Sequence, residues 1–252
     1  MILKFIKMLI PISVKKYIKF QIKQYKDISY EKYMKYTDSY YSKFIETDSL
    51  NYEILVNGVY EIKNVPGIVC EIGTRRGGSA KWIIDSLVGN DDLDRTFITI
   101  DPYGNIEYNH GDGDVGPKKS VVDYTNKMRN ETIPYLYTYA LDKLNNFIFF
   151  NLEDTEFFER YKDGIPVYSD EKGKKLVNEY SLVFFDGPHD YDSVYKEVVF
   201  FNERTPIGAI YVFDDVSDNY NHNLLENEIL LNFGWTMLET SDRKISYKKT
   251  GI

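Results

Sequence analysis

Apolar residues along this 252-residue chain recur with two periods, and the switches between them mark out its elements. Four short unbroken runs, GIVCEIG (67–73), TFITID (96–101), SLVFFD (181–186) and AIYVFDD (209–215), read as strands covered on both faces. A fifth strand is expected over 146–150. Between them, apolar positions three or four residues apart predict helices over 52–63, 78–88, 120–144, 192–203 and 222–232, with another beginning near Thr155. The chain closes on WTMLE (235–239) and KISYKK (244–249), two strands around a Ser-Asp turn. Alternating βα units that end in a hairpin describe an α/β fold, a doubly wound, mostly parallel sheet with an antiparallel C-terminal edge.

Ahead of that domain, residues 13–26 form an amphipathic pattern. Val14, Tyr17, Ile18, Ile22 and Tyr25 share one face, and Lys15, Lys19, Lys23 and Lys26 the other. Such a helix either docks on an anionic membrane surface or packs on its own domain or on a second subunit, with its lysines in water. A Tyr-rich stretch, 28–45, continues as helix. The expected division is a helical extension over 1–48 and a domain over 49–252. Two polar segments interrupt the domain: 161–175 reads as a loop, and the glycine-rich 103–119, just after a strand end, as a lid.

Charge narrows the partners. The net charge is −8, yet residues 1–26 carry seven lysines and no acid, so the body is more acidic than the whole. That balance argues against binding nucleic-acid phosphates and fits a small ligand or a metal. The single cysteine, Cys70, lies inside an apolar strand and reads as a small buried thiol. Without an internal disulfide partner it suggests a reducing, cytoplasmic setting. Lys7 breaks the short apolar stretch after Lys4, no cleavage site follows, and no run approaches the roughly 18 apolar residues of a membrane span.

The four apolar runs share a further property: each ends on an acid. Glu71, Asp101, Asp186 and the Asp214-Asp215 pair therefore line one edge of one sheet, the edge where open α/β folds bind ligands. Uncompensated acids there would be costly to bury, so something cationic or rich in hydroxyls should meet them. The first strand runs into Gly73-Thr74-Arg75-Arg76-Gly77-Gly78-Ser79, a tight turn opening a helix. Its spacing departs from the G-x-G-x-x-G of dinucleotide enzymes. Glu71, just before it, would repel a pyrophosphate but suits a cationic ligand. Asp101 is placed to accept hydrogen bonds from ribose hydroxyls.

Glu71-Ile72-Gly73-x-x-Arg76-Gly77-Gly78 and Asp101-Pro102-Tyr103-Gly104 resemble the first two motifs of class I S-adenosylmethionine methyltransferases, nearest to the metal-dependent macrolide-sugar O-methyltransferase group. The likeness covers about residues 50–250. It implies a seven-stranded Rossmann-like sheet and S-adenosylmethionine as cofactor. The turn that holds Glu71, Gly73, Thr74, Arg76, Gly77 and Ser79 would lie on the methionine part. Asp101 would meet the ribose, residues Asn151 to Asp154, Glu153 among them, would flank the adenine, and Tyr103 and Asp186 complete the cofactor set.

Asp186, Asp214 and Asp215 end neighbouring strands, and three converging carboxylates call for a cation. Oxygen ligands without cysteine point to Mg²⁺ or Mn²⁺, and the resemblance implies the same metal site. His189, three residues past Asp186, is the candidate general base. His110 and His222 receive no role. The expected activity is metal-dependent O-methylation of a sugar hydroxyl, on a nucleotide-activated hexose or heptose for capsule or lipopolysaccharide, by a homo-oligomer. A catechol-like acceptor is the alternative within the class. A nicotinamide-dependent sugar enzyme and a non-catalytic adaptor are the alternatives outside it.

Overall fold

A computed structural model of the chain describes residues 49–103, 125–141, 143–169, 173–216 and 222–251. The expected N-terminal helices, the expected division at residue 48 and nearly all of the expected lid lie outside these residues. The described part holds a seven-stranded sheet flanked by helices, as the apolar pattern implied.

Helix α1 (Tyr52–Glu61) leads to β1 (Ile68–Ile72), α2 (Gly78–Gly89), β2 (Phe97–Ile100), α3 (Asn126–Ala140), β3 (Phe147–Phe150) and α4 (Asp154–Tyr161). A small hairpin follows, β4 (Ile165–Ser169) with β5 (Gly173–Val177). Then come β6 (Tyr180–Phe185), α5 (Tyr191–Asn202) and β7 (Ile210–Phe213). A single helical turn, α6 (His222–Leu225), runs into a wider π segment over 226–230 before β8 (Trp235–Thr240) and β9 (Ile245–Lys249).

Strand order in the large sheet is β3-β2-β1-β6-β7-β9-β8. The first five are parallel, while β9 runs antiparallel to β7, and β8 to β9. After β3 the chain crosses back to the other side of β1, so order reverses between β1 and β6. A reversal of this kind opens a crevice at the carboxyl ends of the strands.

Every residue of β1, β2, β6 and β7 is buried, because successive side chains enter opposite layers. On one face Cys70, Ile72, Val183, Phe185 and Phe213 pack with Val194, Val198 and Phe201 of α5 and Phe157 of α4. On the other, Val69, Phe97, Leu182, Phe184 and Val212 pack with α1, α2 and α3 through Leu55, Ile84 and Leu136. That two-sided demand is why these strands read as continuous apolar runs.

Two expectations need correction. Residues 161–175 are not simply a polar loop: β4 and β5 pair antiparallel from Ile165–Val177 to Ser169–Gly173. Ile165 and Val167 of β4 are buried, while Tyr168 and nearly all of β5 stay exposed, so the hairpin looks like loop in the sequence. The expected helix over 222–232 is shorter and changes to π geometry after Leu225.

Candidate active site

Backbone hydrogen bonds carry the sheet past its last paired residues and line up the strand ends. The Asp101 N–H donates to the Phe150 carbonyl (3.0 Å), Gly73 to Ile100 (2.9 Å), Asp186 to Ile72 (2.9 Å) and Asp214 to Phe185 (3.0 Å). Asp101, Gly73, Asp186 and Asp214 thus stand in that order along one edge. Of the acids read from the sequence, Asp101, Asp186 and Asp214 share this edge, while Glu71 lies two residues before Gly73, inside β1.

Gly73 turns the chain with φ 89°, a left-handed conformation costly for any residue with a Cβ. A Cβ there would also collide with the carbonyl oxygen of Asp186. Gly77 repeats the requirement at φ 80°, where a Cβ would come within 2.7 Å of Leu136 Cδ2. Glycine at both positions lets the turn pack closely against Asp186 and Leu136.

Asp101 is fully buried. Its Oδ2 accepts the backbone N–H groups of Thr74 (2.9 Å) and Arg75 (2.8 Å), which ties the acid to the glycine turn. Its Oδ1 has no hydrogen-bond partner among the described residues. Burial pushes the carboxyl up to about 7 despite the two N–H donors. A ligand offering hydroxyl donors would satisfy that oxygen. Tyr103 closes the same corner: its hydroxyl donates to the Arg75 carbonyl, and its ring packs on Phe149 at 5.8 Å.

The remaining predicted cofactor residues surround this corner. Glu71 is buried and accepts from the Thr99 hydroxyl at 2.6 Å, and Thr99 shares a second hydrogen bond with the Thr74 hydroxyl. Thr99 was not singled out in the sequence, where it looks like one more strand residue. Ser79 is buried in the first turn of α2, and Arg76 is half-buried in the loop before it. Glu153 caps α4 in a reciprocal arrangement with Glu156, and Asp154 opens the helix. Burial, then the nearby Asp154, holds the carboxyl of Glu197 on α5 well above the usual carboxylate range.

At the other end of the row the acids are already compensated. Asp214 is buried, and its Oδ2 accepts from Lys244 Nζ at 2.9 Å. Its Oδ1 accepts from Ser49 Oγ (3.0 Å) and the Asp215 N–H (2.7 Å). Asp215 sits in a left-handed turn, φ 48°, ion-paired with Arg243. His189 Nε2 lies 3.7 Å from the second oxygen of Asp215, with both side chains partly exposed. The sequence reading missed Lys244, Arg243 and Ser49. The signal was the C-terminal hairpin: β9 pairs Ile245 with Phe213, and one step further along, Lys244 meets Asp214.

Strand order, with the reversal between β1 and β6, defines a Rossmann-like α/β fold. A family model described as a methyltransferase domain matches residues 70–216, and the chain belongs to that family. Solved structures of similar fold include the O-methyltransferase NovP, 18% identical over 79% of each chain, with a TM-score of 0.54. CalS11, described as a TDP-rhamnose 3'-O-methyltransferase of calicheamicin biosynthesis, is 11% identical, with 85% of this chain and 93% of that one covered and a TM-score of 0.52. The O-methyltransferase TomG from Streptomyces achromogenes, solved with SAM, is 12% identical over 82% of each chain, TM-score 0.50. No curated protein matches the chain at a significant level. The fold is thus that of S-adenosylmethionine-dependent O-methyltransferases.

S-adenosylmethionine fits the first half of the row, because Asp101 Oδ1 is a buried acceptor awaiting donors such as ribose hydroxyls. The divalent metal expected on Asp186, Asp214 and Asp215 does not fit the second half. Both oxygens of Asp214 are engaged, one by a buried ammonium. Among the described residues no three His, Cys, Asp or Glu side chains come together as metal ligands.

Proposed function

We propose that the chain transfers a methyl group from S-adenosylmethionine to a sugar hydroxyl, on a nucleotide-activated hexose or heptose destined for a surface polysaccharide. The observation that carries the cofactor half is the buried Asp101, held by the glycine turn through Oδ2 with Oδ1 left to accept. Membership of the methyltransferase family sets aside the nicotinamide and adaptor alternatives. The sugar acceptor is chosen because CalS11, a protein of the same fold, acts on TDP-rhamnose.

In this reading the 73–79 turn holds the methionine part, Asp101 accepts from the ribose, and Glu153 and Asp154 flank the adenine. When bound, S-adenosylmethionine supplies a methyl group on a positively charged sulfur, already activated for transfer. The protein's task is to position the acceptor oxygen and remove its proton. His189 stands beside the row with Nε2 near Asp215, and in this reading its imidazole takes the proton. At 3.7 Å the contact is electrostatic rather than a hydrogen bond, and it stabilises the imidazolium as it forms. Asp186, next along the edge from Gly73, borders both ligands. Alignment of the two reactants contributes much of the acceleration.

A reducing cytoplasm is the setting this reading assumes, and a single cysteine, Cys70, buried and free, is consistent with it. No helix among the described residues is long and apolar enough to cross a membrane. The test pairs calorimetry of S-adenosylhomocysteine binding with a mass-spectrometric screen of nucleotide sugars for the gain of one methylene. Binding plus a methylated sugar supports the reading. Absence of S-adenosylhomocysteine binding defeats it, and a methylated catechol with no methylated sugar replaces the acceptor.

A further inference from the structure

The fold's acidic edge raises the question of which cation balances it, and the structure answers with a side chain of its own. Lys244 is fully buried. Its Nζ donates to Asp214 Oδ2 at 2.9 Å, to Ser49 Oγ at 2.5 Å and to the Leu50 carbonyl at 2.7 Å, which uses all three ammonium protons. The same nitrogen lies 4.5 Å from the centre of the Tyr52 ring, a favourable seat for a cation. Asp214 is saturated in turn by Ser49 and the Asp215 N–H, and Asp215 has its own cation in Arg243.

We propose that the Lys244 ammonium is the resident cation of this strand edge, so that the enzyme works without a divalent metal. Lys244 and a metal compete for the same carboxylate. A metal on Asp214 would have to displace the ammonium, leaving a charge buried with no counter-ion. The lysine is also covalently part of the fold and always present. Hence cation compensation at this edge does not vary with metal supply. Deprotonation of the acceptor then falls to His189, with no Lewis acid to lower the hydroxyl's pKa. This inference rests on the methyltransferase reading for its consequence, but its core claim about the cation is independent of it.

The experiment uses the full chain, treated with EDTA and desalted, and follows Mn²⁺ binding by calorimetry and by electron paramagnetic resonance. Wild-type protein is expected to show no stoichiometric Mn²⁺ binding at millimolar metal and no change in thermal midpoint. Lys244→Met, similar in length and uncharged, is expected to gain one Mn²⁺ site and to be stabilised by the metal. Adding Asp214→Asn to that variant should abolish the gain. Tight one-to-one Mn²⁺ binding by wild type that Asp214→Asn removes would overturn the proposal. So would a folded Lys244→Met that still ignores Mn²⁺. If Lys244→Met does not fold, Lys244→Gln takes its place, and the wild-type titration decides between the two outcomes. S-adenosylhomocysteine binding on the same EDTA-treated protein separates the claims: its loss would refute the methyltransferase reading and leave the cation result standing.

Discussion

Replacing Asp101 by Asn should make the ligand-free protein more stable at pH 8 while weakening its hold on the cofactor. Burial raises this carboxyl from an ordinary value of about 3.9 to about 7. Below pH ~4 the folded and unfolded chains both carry the proton, and the group contributes no difference. Between pH ~4 and ~7 the folded state binds the proton more readily, so stability falls as pH rises. Above pH ~7 the full handicap applies, about 4 kcal/mol at 1.36 kcal/mol per pH unit. Asn removes the charge and can still accept from the Thr74 and Arg75 N–H groups. Its amide would sit where Oδ1 has no partner, at a cost of about 1–3 kcal/mol. The net expectation is a gain of about 1–3 kcal/mol at pH 8 that disappears near pH 4.5. In a chain of this size it would read as a thermal midpoint several degrees higher. S-adenosylhomocysteine affinity should fall about 10- to 100-fold, the loss of one or two charge-assisted hydrogen bonds. Scanning fluorimetry at the two pH values and calorimetry at pH 8 supply both readings. A variant equally destabilised at pH 8 and pH 4.5 would refute the view that the carboxylate is strained by burial. Unchanged affinity would refute its role as ribose acceptor.

Other parts of the site yield sharper single tests. Gly73→Ala forces a Cβ into the Asp186 carbonyl in a left-handed turn, so urea unfolding should show a loss of about 2–4 kcal/mol. A change below 0.5 kcal/mol, roughly the background for surface substitutions, would contradict the close approach. His189→Ala should lower kcat about 10²- to 10⁴-fold in the assay that identifies the acceptor, with S-adenosylhomocysteine affinity unchanged. Retention of full kcat would exclude the base role. His222 is buried against Phe213 with Nε2 2.9 Å from the Tyr247 hydroxyl, and burial lowers its pKa to about 4. The unfolded chain takes up the proton first, so the stability this ring contributes is intact above pH ~6.5 and lost as pH falls towards 4, by up to about 3 kcal/mol. His222→Phe should flatten that acid slope in urea titrations at pH 7 and pH 4.5, and an unaltered slope would place the loss elsewhere.

The order of strands and helices was legible because both faces of β1, β2, β6 and β7 are covered, which leaves an unmistakable apolar run. The ends of those runs named the acidic row, and the glycine turn named its cofactor half. What escaped was anything set by pairing across distant chain segments. Thr99 joins Glu71 to Thr74 through hydroxyls that look ordinary in a strand. Lys244 is drawn as a surface residue by composition, and only the register of β9 against β7 brings it inside beside Asp214. Without it the three aspartates at the end of the row looked uncompensated, and a metal was the natural inference. The β4–β5 hairpin escaped for a local reason, since β5 is a glycine, two lysines and an exposed Leu176 before it reaches Val177.

The hairpin's place in the sheet also bears on how the chain matures as it leaves the ribosome. Synthesis delivers β7 with Asp214 well before β9 with Lys244, and β8 emerges between them with no neighbour to join until β9 arrives. Until then Asp214 has no internal counter-charge, and a nascent chain that buried it would strand a carboxylate in the core. The acid therefore favours keeping this edge in water over the interval between Asp214 and Lys244, which are 30 positions apart. Arrival of one lysine closes it, together with the last two strands and the Ser49–Tyr52 segment ahead of the first helix turns. The charge balance of this edge is in this sense tied to the pairing of β9 with β7.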